Sequence, residues 1–136
     1  MVDEIKDKYS AVASELEKID DVRFFAVLKM DDITDRWSLL FGVLNVKNLD
    51  KRKKIFDKIR EIIAKNLSKN ELEGIARIGL FPTTDHIVRD LKKFPAGKNI
   101  LQVKANGNFV HEGCILISKK TAKEVANEQE AIQASS

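Results

Sequence analysis

The chain is poor in the residues that staple, break or catalyse. Its single cysteine, Cys114, cannot form an internal disulfide, so stability has to come from an ordinary apolar core. At 136 residues that core is attainable: one domain of this size buries roughly two-thirds of the surface its unfolded chain exposes. The longest apolar runs, such as Trp37 to Leu44 with its one serine, fall far short of the roughly 20 residues that span a bilayer as a helix. No glycine-rich phosphate loop, nucleophile motif or metal-ligand pairing of known spacing is found, and no internal repeat or low-complexity linker. The first ten residues, MVDEIKDKYS, are charged where a signal peptide needs an apolar stretch. With the lone cysteine, this predicts a cytoplasmic protein.

What is present is apolar content of 43% and an uneven charge distribution beneath a net charge of +3. Residues 1–36 carry ten acidic and six basic side chains, a net of −4, whereas residues 48–69 carry eight basic and three acidic, a net of +5. The periodicity predicts one α+β domain over residues 1–118, with a mixed sheet of about five strands and helices packed on it in the order α-β-β-α-β-α-β-β-α. Residues 119–136 are expected to be a weakly docked or flexible tail that includes a helix over about 121–131.

The individual elements follow from spacing. Ile5, Tyr9, Val12, Leu16 and Ile19 recur in steps of four and three, one stripe of a helix. Val22 to Met30 and Trp37 to Val43 are apolar on both alternating faces, as strands in the middle of a sheet are. The loop between them, DDITDR, lacks Asn-Gly or Asp-Gly and predicts a hairpin whose turn is longer than two residues. Asn48 is placed to cap a long helix whose Ile55, Phe56, Ile59, Ile62, Ile63 and Leu67 face the core. A short turn over 70–74 leads to a third strand over 75–81. Should strands two and three pair in parallel, the crossover between them is right-handed. Thr83 and Thr84 then cap a helix over 85–94, and two strands flank Asn106-Gly107, the dipeptide suited to a type I′ turn. Gly113, where the alternation changes phase, predicts a bulge.

Three groups of residues carry chemistry. Arg77, Thr83, Thr84, Asp85 and His86 form an anion or ligand candidate, because unsatisfied backbone N–H groups at a helix start accept phosphate or carboxylate. An enzyme acting on an anionic substrate through Arg77, Asp85 and His86 requires that these converge in one cleft. Lys51, Arg52, Lys53, Lys54 and Lys58 form a nucleic-acid candidate, although a lysine face without aromatic interleaving is ordinarily the solvated side of an amphipathic helix. Asp31, Asp32 and Asp35 lack the glycine bend and distal glutamate of a calcium loop and read as turn formers. His111 and Cys114 lie three apart, on opposite faces of a regular strand, and the apolar setting of Cys114 makes it a small core residue. No catalytic residue, metal or cofactor is assigned. The predicted role is a non-catalytic protein-interaction or regulatory module, binding a protein partner or itself, in which the basic helix and the strand edge at 99–103 are the surfaces to inspect.

The segments D-R-W-S-L-L-F (Asp35 to Phe41), I-A-R-I (Ile75 to Ile78) and D-H-I-V (Asp85 to Val88) resemble D-x-W-D-L-L, I-S-R-I and D-x-F-V segments of a family of small uncharacterised prokaryotic α+β proteins. Ser38 stands where that pattern has an acid, and no proline precedes Ile87. The resemblance implies a small soluble α+β protein and marks Trp37, Arg77 and Asp85. The element order is also similar to that of roadblock and profilin-like interaction modules, with one additional helix at 85–94, which implies a sheet whose edge or helical face recruits a partner.

Overall fold

A computed structural model describes residues 2–31, 33–44 and 46–119. Four helices and a mixed five-stranded sheet follow in the order α1 (Val2–Leu16), β1 (Val22–Met30), β2 (Ile33–Val43), α2 (Leu49–Asn66), α3 (Lys69–Glu73), β3 (Ile75–Pro82), α4 (His86–Leu91), β4 (Asn99–Ala105) and β5 (Asn108–Ser118). The sheet order is β3-β2-β1-β5-β4, all neighbours antiparallel except the parallel pair β2 and β3. The predicted tail helix over 121–131 lies outside the described residues.

Burial explains the order. β1 is central, and Phe24, Phe25, Ala26, Val27 and Leu28 are all fully buried because side chains on both of its faces meet core. On one face Phe25 and Val27 join Tyr9, Val12 and Leu16 of α1 and Ile55, Ile59, Ile62 and Ile63 of α2. On the other, Phe24, Ala26 and Leu28 meet Ile87, Val88 and Leu91 of α4 and the strongly buried Ile100, Val110 and Ile115. Each fully buried aliphatic or aromatic side chain contributes about 1.5–3 kcal/mol, so two such layers hold the domain without covalent staples. The acidic helix α1 packs within its own domain, against the basic helix α2: Lys65 Nζ lies 2.9 Å from Glu15 Oε1, and the Asn66 amide donates to the same carboxylate. Those two donors hold the Glu15 carboxyl below its usual value.

The ends of the elements show which local signals decide. Asn48 caps α2, its Oδ1 accepting from Lys51 N–H at 3.1 Å. Asn106 and Gly107 have φ of 47° and 79°, as the type I′ turn requires. Ser68 and Glu71 form a reciprocal capping box on α3.

Four expectations are corrected. Met30 pairs with Ile33, so the first hairpin closes over two residues, and the surplus of β2 is absorbed in an irregularity between the Leu28 and Met30 pairings. Asp85, not Thr84, caps α4, its Oδ1 accepting from Ile87 N–H at 3.1 Å, because a short carboxylate two residues back reaches the first orphan donor. The helix is six residues, not ten. Gly113 is paired in register with Leu28; the irregularities of β5 fall on either side, between the Lys29 and Met30 pairings and between those of Phe25 and Ala26.

Candidate interaction site

Among the described residues the outer strands of the sheet are β3 and β4, and they differ. β4 is guarded: Gln102 has φ 50° and drops out of the ladder between the Leu101–Glu112 and Val103–Val110 pairs, and the neighbouring Lys98 and Lys104 are exposed. A twisted, lysine-bearing edge of this kind resists strand addition. The surface expected at 99–103 is therefore an edge, but a protected one.

β3 is not guarded in the same way. Its sequence, IARIGLFP, carries one charge, Arg77. Arg77 is the exposed residue of the strand, and its guanidinium lies across the neighbouring strands: Nε donates to Ser38 Oγ on β2 at 3.0 Å, and Nη2 reaches Met30 Sδ on β1 at 3.3 Å. Ser38 is 3% exposed, the one strongly buried polar side chain among the described residues, and its hydroxyl anchors the guanidinium over the sheet. Ala76 is a bulge, since Trp37 pairs with Ile75 and Ser38 with Arg77, and Pro82 ends the strand without an N–H. Between those two interruptions, residues 77–81 run in regular register with 38–42 and turn their outer side to the surface.

The bulge has a second effect. It puts Ile75 and Ile78, three apart, into the same core layer, where they line an open groove of about 690 Å³ with Phe56, Arg60 and Ala64 of α2 and Leu72 of α3. Asp57 and Glu61 rim it, and the Arg60 guanidinium lies 5.8 Å from the Phe56 ring centre. This flank of α2 is thus mixed in charge and partly apolar.

The remaining candidates are dispersed. Arg77 and Asp85 line a cavity of about 380 Å³ with Ser38, Gly79, Phe81 and Asn108, whereas Thr83 and Thr84 line a different groove of about 430 Å³ beside Lys47 and Asn48. His86 is exposed and lines neither. The convergence that an Arg77–Asp85–His86 site needs is therefore incomplete. Lys51, Arg52, Lys53, Lys54 and Lys58 are all exposed on α2. At 100° per residue, Lys51, Lys54, Lys58 and Lys65 fall on the flank opposite the groove, towards α1, as the Lys65–Glu15 ion pair shows. Phe24, Phe25 and Phe41 are fully buried, and Trp37 is half-buried with Lys29 Nζ 4.7 Å from its ring centre.

His111 and Cys114 part company. His111 is exposed, 3.1 Å from Asp31 Oδ1 and edge-on to Phe109; Cys114 is fully buried in the α1 layer. Burial pushes the Cys114 thiol up to about 11 and raises the Tyr9 hydroxyl as well. The Cys114 thiol is neutral when folded, so its contribution is complete below pH 9 and is lost as the pH rises through about 11. The native thiol is accordingly expected to resist a disulfide reagent at pH 8 and to react once urea unfolds the chain; rapid native labelling would contradict this burial.

No helix among the described residues is long and apolar enough to cross a membrane. Against protein-family models, curated proteins and solved structures, the chain gives no match.

Proposed function

We infer that this protein is a non-catalytic interaction module of the cytoplasm that binds an extended protein segment by strand addition to β3. The observation that carries the reading is the open stretch 77–81, whose one charge is held back over the sheet by Ser38. Backbone N–H and C=O groups along such an edge supply affinity, and an apolar groove beside it supplies side-chain selectivity. The groove of Phe56, Leu72, Ile75 and Ile78 runs along this strand.

Nucleic-acid binding is less well supported, because the lysine flank of α2 lies next to acidic α1 and one of its lysines is already engaged by Glu15. An anion or substrate site is less well supported because its residues are divided between two cavities. The immobilised full chain should capture a stoichiometric protein, itself or another, and Ile78→Lys should abolish that capture. A chain that is monomeric and retains nothing would overturn the module reading, as would capture indifferent to Ile78→Lys.

A further inference from the structure

We propose that the occupant of the β3 edge is a second copy of this chain, paired antiparallel across a two-fold axis at Gly79 so that two sheets join into one of ten strands. This rests on the interaction-module reading and names its partner. Three observations on the strand and its surroundings lead to it.

The open stretch is five residues, 77–81, bounded by the Ala76 bulge and by Pro82, and Gly79 is its centre. A two-fold axis at Gly79 sets Ile78 opposite Leu80 of the second copy and the reverse, apolar against apolar on the helical side of the sheet. On the other side it sets Arg77 against Phe81 of the second copy. The Arg77 guanidinium lies back across the neighbouring strands to Ser38 and Met30, so the two copies do not bring like charges together at the joint.

A two-fold axis perpendicular to the sheet keeps both helical layers on one side, and the groove flanks of the two α2 helices then face each other. That flank is mixed in charge, with Lys53 and Arg60 beside Asp57 and Glu61, while Lys51, Lys54 and Lys65 fall on the opposite flank and Lys58 reaches Glu61 at 3.9 Å. Finally, each copy has one edge suited to pairing. β4, with Gln102 at φ 50° and exposed lysines beside it, does not extend the sheet, so assembly stops at two instead of running on as a filament.

The test is sedimentation of the full chain together with amide exchange at a low and a high concentration. A particle of twice the 15.4 kDa chain mass is expected, in which those amides of 77–81 that face away from β2 are protected only at the higher concentration. Ile78→Lys should raise the dissociation constant at least about tenfold by placing a charge in the apolar pair, and Leu101→Lys on the other edge should leave it unchanged. Circular dichroism separates lost pairing from lost folding, and the wild-type exchange pattern decides the matter even if Ile78→Lys unfolds. A dimer whose protected amides lie in β4 or α1 overturns the proposal, as does a monomer with those outward amides of 77–81 equally protected at both concentrations. A monomer that pairs β3 with a different protein overturns the second copy but leaves the module reading intact, whereas a monomer that binds nothing removes both.

Discussion

Replacing Phe41 by alanine is expected to remove about 4 kcal/mol of stability. Phe41 is fully buried on β2, its ring stacked on Phe25 of β1 with centroids 4.5 Å apart and planes 7° from parallel. Phe25 in turn meets the ring of Tyr9 edge-on at 6.2 Å. Three consecutive elements, α1, β1 and β2, thus share one aromatic column, and Phe41 is at the end of it opposite Tyr9. Removing its ring forfeits roughly 3–5 kcal/mol of transfer and cavity energy, plus about 0.5–1.5 kcal/mol from the ring pair. The surroundings are two strands and two helices fixed by pairing, so collapse into the void is limited. A domain of this size has only about 5–15 kcal/mol in all, and the variant should show a large drop in urea midpoint with an unchanged slope. A loss below about 1.5 kcal/mol would mean that the column is not the support it is described to be.

Much of this architecture is legible in the sequence because it rests on local periodicity. The stripe that begins at Ile5, the two-sided apolar run RFFAVLKM and the Asn106-Gly107 turn each carry their own physical signal; the strand and the turn stand where that signal puts them, whereas α1 ends at Leu16, before the last residue of its stripe, Ile19. The ends that depart from the local signal have a common cause: a nearer partner is available than the usual one. Thr83 and Thr84 are good caps, but Asp85 is one residue closer to the N–H of Ile87. The polar run DITDR reads as loop, yet its residues from Ile33 onward are held by pairing in β2, where tertiary contacts override propensity.

The interaction site was less legible, for a different reason. Whether IARIGLFP is an edge or an interior strand depends on strand order, and strand order is fixed by contacts between residues far apart in the chain, such as Ser38 with Arg77, 39 positions on. Arg77 was marked by sequence for its charge and its likeness to other proteins. Its place in the structure gives it another part: a cation held across the sheet by a buried serine. No spacing rule reveals that a charge lies back across the neighbouring strands. The one sequence signal was negative, namely an eight-residue apolar strand with a single charge.

Gly113→Ala is expected to destabilise the fold by about 3 kcal/mol or more, through a backbone collision and not through conformational preference. Gly113 does not have positive φ, whereas Gly97 and Gly107 do, so its backbone is open to any residue. Space is what it lacks. A Cβ at Gly113 would lie 2.5 Å from the Val27 carbonyl oxygen, 2.8 Å from Leu28 Cδ2 and 3.2 Å from Leu28 Cα. Leu28 could rotate away; the Val27 carbonyl belongs to the central strand and cannot move without opening the β1–β5 ladder. The irregularities on either side of Gly113 fix how β5 approaches β1, which leaves the segment between them no slack to retreat. Gly107→Ala provides the contrast: its Cβ meets nothing within 4 Å, but φ of 79° costs roughly 1 kcal/mol for a residue with a side chain. Thermal unfolding of the two variants, with amide exchange across β1 and β5, separates clash from strain. Loss of protection along β1 in Gly113→Ala alone is the expected result; equal costs for the two would show that β5 can shift aside and that the close approach is not what requires glycine there.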